Sequence, residues 1–202
     1  MLVIARDVVH EIEIARSRFR CALTRVPDAD AAGAVIDTIR REHWTATHHC
    51  TALRAGDTQR SNDDGEPAGT AGVPMLEVLT RREITDVVAV VSRWFGGTKL
   101  GAGGLVRAYG RAVGEALDAA GTLRRVRHRE VLLAVGHDEA GRLENALRAN
   151  AYRVRDVRHG PDVTITVDVP DDGTDEFAHW LAERTGGTVE ALDAGHRDLY
   201  LP

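Results

Sequence analysis

Aromatic residues make up only 4% of this 202-residue chain, lysine occurs once, at Lys99, and there are two cysteines, Cys21 and Cys50. Each scarcity excludes something. With so few rings, the cores must be built from Ala, Val, Leu and Ile, and the 43% hydrophobic content is ample for that, so a disordered chain is not expected. Two cysteines give no disulfide framework, which fits a reducing compartment. No run approaches the roughly 18 apolar residues that a membrane span needs. The opening segment MLVIARDVVH reaches Arg6 and Asp7 too soon to be a signal-peptide core. A cytoplasmic protein with no membrane partner is the expectation.

Nor is there an excess of basic charge. The net charge is −5; residues 1–120 hold 15 basic and 16 acidic side chains, and residues 121–202 hold 11 and 15. A nucleic-acid site in such a chain has to be a local patch rather than a global property.

What is present is alternation of strand-like and helix-like segments. Val8–Ile14 and Phe19–Val26 read as strands joined by a short polar turn. Asp28 or Asp30 caps a helix running to about His43, and His48–Ala55 is a third strand. Residues 56–72, GDTQRSNDDGEPAGTAG, read as a loop, and Pro74 opens a short helix to Leu79. Ile84–Trp94 is nearly continuous in apolar residues, as a strand buried on both faces is. Five glycines in residues 95–104 follow, then a helix from Leu105 to Ala120 ended by Gly121. From there the order is strand 130–135, helix 138–150, strands 152–158 and 163–169, helix 173–185 and strand 188–192. That βαββαβ order is ferredoxin-like. The fold class is α+β in two domains, 1–121 and 122–202, with the boundary near 121–129.

Four groups of residues invite a chemical reading. The glycine segment between a buried strand and a helix suits anion binding by free backbone N–H groups, with Lys99 adding charge. It is not a Walker A loop, because Lys99 precedes Gly101, and not a dinucleotide fingerprint, because position 106 is Val106. Gly101, Gly103 and Gly104 serve close helix packing equally well. The acidic loop Ser61–Pro67 offers Asp63, Asp64 and Glu66, which suit a metal ion, a solvated turn, or pairing with Arg93 or Arg107; the last is the preferred reading, and the spacing is not that of an EF-hand. His48-His49-Cys50, with His43 and Cys21, lacks the paired ligands of a zinc site and an evident oxyanion donor, so packing is the expected role. Arg107 and Arg111, four apart on one helix face, are either solvated helix charges or, joined by Arg93 and Lys99, a candidate phosphate patch, with Trp94, Phe95 and Tyr109 as stacking faces. The stretch TLRRVRHR at 122–129 is a weaker basic candidate. No residue is assigned a catalytic role, and no metal or cofactor is implied.

Taken in order, Ser61-Asn62-Asp63-Asp64-Gly65-Glu66-Pro67-Ala68-Gly69-Thr70-Ala71-Gly72, Pro74-Met75-Leu76, Val90-Val91-Ser92-Arg93-Trp94-Phe95-Gly96-Gly97-Thr98-Lys99-Leu100-Gly101 and Gly103-Gly104-Leu105-Val106-Arg107-Ala108-Tyr109 resemble the signature of the IMPACT/YigZ family. The resemblance covers roughly residues 16–121, and bacterial members also carry a C-terminal ferredoxin-like unit. It implies an N-terminal domain similar to the βαβ fold of ribosomal proteins, domain IV of elongation factor G and GHMP kinases. Eukaryotic relatives regulate translation, chiefly through an additional N-terminal domain. That domain is not expected in this chain, so their regulatory mechanism does not carry over.

The leading expectation is therefore a non-enzymatic, translation-related protein that contacts RNA, the ribosome or a translation factor through residues 61–72 and 93–111. The alternative is an enzyme that holds a nucleotide or phosphate ligand at the turn 96–104, assisted by Asp63, Asp64 or Glu66. A protein–protein adaptor with no charged ligand is the third reading.

Overall fold

The computed structural model describes residues 1–202, which divide into one unit of Met1–Arg124 with Pro202 and a second of Arg125–Leu201. In the first unit, β2 (Val8–Ile14) and β3 (Ser17–Arg25) form a hairpin. Its two turn residues, Ala15 and Arg16, both have positive φ, at 49° and 64°. That is the backbone twist a two-residue hairpin needs. Helix α1 (Ala29–Glu42) follows, its N-cap Asp28 accepting the Ala31 N–H at 2.8 Å. Then come β4 (His48–Ala55), β5 (Thr58–Asn62), α2 (Gly72–Arg81), β6 (Val87–Trp94) and α3 (Gly101–Ala120).

The sheet order is β2-β3-β6-β4-β5, antiparallel throughout. Central β6 is buried on both faces. Val87, Ala89 and Val91 pack beneath α2 and α3, and Val88 and Val90 pack toward α1. The shortage of rings is met by small side chains: Ala108, Ala112, Ala116 and Ala120 line the buried stripe of α3.

Three elements differ from the sequence expectation here. Residues 58–62 form the edge strand β5 rather than loop; TQRSN has no apolar residue, and an edge strand facing water needs none. Helix α3 begins at Gly101, four residues earlier than its apolar stripe, so three of the segment's glycines are helical. A short strand β1 (Leu2–Ile4) pairs with Thr122–Arg124, which explains why the first unit extends to Arg124.

The second unit contains β7 (Thr122–Val135) from Arg125 onward, α4 (His137–Ala149), β8 (Arg153–His159), β9 (Val163–Pro170), α5 (Thr174–Thr185) and β10 (Ala191–Leu201). Its strands lie in the order β10-β7-β9-β8, the ferredoxin-like arrangement of a βαββαβ chain. Val131, Leu133 and Val135 of β7 and Val163, Ile165, Val167 and Val169 of β9 face one side, where Leu143, Leu147, Phe177 and Leu181 cover them. The last strand runs 191–201 rather than 188–192, because its largely exposed, polar sequence carries no apolar alternation.

Two glycines separate conformational from steric roles. A Cβ on Gly96 would lie 1.9 Å from the Arg16 carbonyl oxygen, whereas one on Gly33, inside α1, would meet nothing within 4 Å. Gly33→Ala is expected to stabilise the protein by about 0.5–1 kcal/mol, and Gly96→Ala to destabilise it by about 2–3 kcal/mol, as read from urea denaturation. Equal effects would contradict the close backbone approach at Gly96.

Candidate functional site

The acidic loop folds inward. The Asp63 carboxylate accepts three backbone N–H groups, from Gly69 at 2.8 Å, Ala71 at 3.0 Å and Gly72 at 2.7 Å. It thereby caps α2, whose N-cap Ala71 has no side-chain acceptor. Burial pushes the Asp63 carboxyl up, but the three N–H donors together outweigh it and hold the group below the usual range. Asp64, at φ 43°, accepts from Arg40 at 2.9 Å and from the His49 N–H at 2.7 Å, and its carbonyl meets His48 Nδ1 at 2.8 Å.

Glu66 is buried, at 8% exposure. Its Oε1 accepts from Arg93 Nη1 at 2.6 Å and from the Tyr109 hydroxyl at 2.7 Å. The Cys50 thiol lies 3.3 Å from the Tyr109 oxygen and 3.0 Å from the Asp63 carbonyl. Burial pushes Cys50 up to about 12 and, with Cys50 beside it, raises the Tyr109 phenol well above its ordinary value. Both stay protonated and donate. The three carboxylates of the loop thus take part in three separate sets of bonds within the chain, of which only that of Glu66 is buried. His48 and Cys50 share the α2 face of β4, and His49 points oppositely, with Nδ1 2.9 Å from Ser92 Oγ.

This placement changes two assignments. Arg93, grouped by sequence with the phosphate patch, is 5% exposed and serves Glu66 instead. Tyr109, offered as a stacking face, is fully buried edge-on against Phe19, with ring centroids 5.2 Å apart.

The remaining cations lie at the surface. Lys99 and Arg107 are exposed and form no ion pair. Arg111 is exposed too, but its Nε donates to Glu115 at 2.6 Å, and Glu115 also meets His10 Nε2 at 2.9 Å. Helix α3 starts with no side-chain cap, so its first-turn N–H groups, from Gly101 to Gly103, have no partner within the helix and face an outside acceptor. A Cβ on Gly103 would lie 3.6 Å from Arg107 Nη1, so that guanidinium sits against the same turn. Phe95, at the start of the glycine segment, is 50% exposed.

The sequence reading missed Trp44, which is 78% exposed, and Arg16 and Arg18 on the hairpin. Arg18 lies over the Trp94 ring at 3.9 Å. The signal existed only in the strand register, which pairs Arg18 with Trp94. In the second unit the basic stretch is spent on acids: Arg125 lies 3.9 Å from Asp198, Arg127 3.5 Å from Asp171 and Arg129 3.6 Å from Asp193.

Comparison with known proteins follows the same division of the chain. Residues 15–117 match the Impact N-terminal domain, and residues 133–188 match the domain of unknown function DUF1949. The IMPACT family member YvyE of Bacillus subtilis is 44% identical over 181 residues, 88% of this chain and 83% of that protein. The IMPACT family member YigZ of Escherichia coli is 36% identical over 196 residues, 95% of this chain and 96% of that protein. A crystal structure of a hypothetical protein, 34% identical, superposes with a TM-score of 0.63 over 96% of this chain and 97% of its own.

Glu66→Gln leaves the buried Arg93 without a counter-charge and is expected to destabilise the first unit by about 3–5 kcal/mol, against about 1–2 kcal/mol for Tyr109→Phe, which removes the bond to Glu66 and the contact with the Cys50 thiol. Denaturant melts that rank the two the other way would refute the ion pair's structural role. For Asp63, a depressed folded-state pKa means that its stabilisation is complete above the ordinary carboxyl value of about 4 and is lost as pH falls through the folded value. The stability gap between wild type and Asp63→Asn is therefore expected to be constant near neutrality and to close below about pH 4. A gap unchanged down to pH 2 would contradict the three-donor cap.

Proposed function

The chain belongs to the IMPACT family, and from that premise we propose that it binds RNA through the surface that runs from Phe95 along the first turns of α3. Translation, which the family resemblance implies, is the setting in which this RNA is met. One observation carries the proposal: Lys99 and Arg107 stand exposed and unpaired beside an uncapped helix start, while every carboxylate of the signature loop already has a partner within the chain.

The physical logic is local. A net charge of −5 repels a polyanion at long range, so contact needs a place where negative charge has been withdrawn from the surface. Glu66 is withdrawn in this way, buried with Arg93, and Asp63 and Asp64 are held by hydrogen bonds within the chain, while Lys99 and Arg107 stay exposed. Lysine, arginine and free helix-terminal N–H groups are the usual partners of phosphate oxygens. The side chains that suit chemistry rather than binding are occupied: the Cys50 thiol is held protonated, and Glu66 is neutralised by Arg93.

The test is fluorescence anisotropy of a labelled 12-nucleotide uridine oligomer titrated with the full chain between 50 and 200 mM salt. Binding is expected at the low end, with log affinity falling linearly in log salt. Lys99→Glu with Arg107→Glu is expected to weaken binding about tenfold at 50 mM and to lower the slope by roughly 1 to 2, with an unchanged melting temperature. Arg93→Ala is unsuitable as a binding variant, since it strands Glu66 in the core. Absence of binding at 50 mM salt, with a thermal shift on adding nucleotide and Mg²⁺, would replace this reading with the phosphate-ligand enzyme.

A further inference from the structure

We propose that Trp44, the Arg18–Trp94 pair and Phe95 form a base-stacking platform, so that the RNA taken by this protein is single-stranded. The proposal rests on the RNA-binding reading above and names the form of its ligand.

The chain has nine Phe, Trp and Tyr residues in all, and three of them are gathered at this end of the first unit's sheet. They are not there to fill a core, because Trp44 is 78% and Phe95 50% exposed. An isolated exposed ring is common, but a held cluster of them in a ring-poor protein points to a partner. The segment that carries Trp44 is pinned along the end of β6. The Thr47 N–H donates to the Arg93 carbonyl at 2.7 Å, Trp94 Nε1 donates to Thr45 Oγ1 at 3.0 Å, and the Phe95 N–H meets Thr47 Oγ1 at 3.4 Å. His43 packs edge-on to Trp94, with centroids 5.9 Å apart. Trp44 is therefore exposed on a fixed backbone, which keeps the entropy lost on stacking small.

The Arg18 guanidinium lies 3.9 Å over the Trp94 ring, and the Arg18 side chain remains 49% exposed. Its Nε is 3.9 Å from Glu11, so its charge is partly answered already. What it offers outward is a planar face, on which a base can continue the stack that Trp94 begins. Trp94 and Phe95 are consecutive and lie on opposite sides of the sheet: Trp94 with Arg18 and His43, Phe95 within 5.8 Å of the Arg93 guanidinium. The aromatic surface thus continues round the sheet's end to the glycine segment. There Arg16 Nη2 donates to Thr98 Oγ1 at 3.0 Å, next to Lys99. Bases on rings and backbone on adjoining cations is the chemistry of single-strand binding, and a duplex, whose bases stack on one another, cannot use the rings.

The experiment compares the 12-nucleotide uridine oligomer with a 12-base-pair RNA duplex, using the full chain, Trp44→Ala, Phe95→Ala and the double variant, each checked for an unchanged circular dichroism melt. The single strand is expected to bind about tenfold or more tightly than the duplex, each substitution to lower single-strand affinity about five- to tenfold, and duplex affinity to stay within twofold. Trp44→Phe should restore most of the loss. Equal binding of strand and duplex, or an unchanged preference in the double variant, would overturn the platform and leave RNA binding standing. Failure of the wild-type chain to bind either RNA would overturn both.

Discussion

One carboxylate oxygen organises the first unit. Glu66 Oε1 receives the Arg93 guanidinium from the end of β6 and the Tyr109 hydroxyl from α3, so a loop, a strand and a helix meet at a single acceptor. An ionised carboxylate placed in a core without partners is costly, and an unpaired guanidinium is equally so. Neither is tolerable alone, and together they fix where the loop after β5 must lie. The Cys50 thiol and the Phe19 ring complete the enclosure around Tyr109.

The acids of the signature are taken up by partners within the chain. The family signature holds acids in its first half and cations in its second, which in a solvated loop would cancel. Folding separates them. Asp63 is used to cap α2, Asp64 to hold Arg40 and the β4 backbone, and Glu66 to hold Arg93. Lys99 and Arg107 are what remain at the surface, beside helix-terminal N–H groups that no side chain caps. A protein of net negative charge can in this way present a positive spot at one place without raising its overall affinity for polyanions.

Much of the fold was legible in the sequence. The apolar run of β6 announced burial on both faces, the strand parity of His48, His49 and Cys50 was readable, and the βαββαβ order of the second unit followed from periodicity alone. The sequence supports pairing of the acidic loop with Arg93 and equally a place for Arg93 in the phosphate patch, and burial of the Glu66–Arg93 pair excludes the second. Sequence reasoning failed where local pattern carries no tertiary information. Edge strands β5 and β10 are polar because they face water, so they lack alternation. The start of α3 is masked by glycines, which are poor helix formers but fit where α3 begins. Trp44 was invisible as a site residue because only the course of residues 43–47 beside β6 brings it near Trp94, fifty positions away.

The central claim is that the acids of the signature are taken up in bonds within the chain, and that its exposed cations and rings, Lys99, Arg107 and Phe95, are what meets RNA. Its most direct measurement is photo-crosslinking of the full chain to a 4-thiouridine oligomer, with the attached peptides identified by mass spectrometry. Crosslinks are expected in segments containing Trp44, Trp94–Lys99 and Arg107, and none in Ser61–Gly72. Attachment within Ser61–Gly72, or only within residues 125–201, would contradict the account.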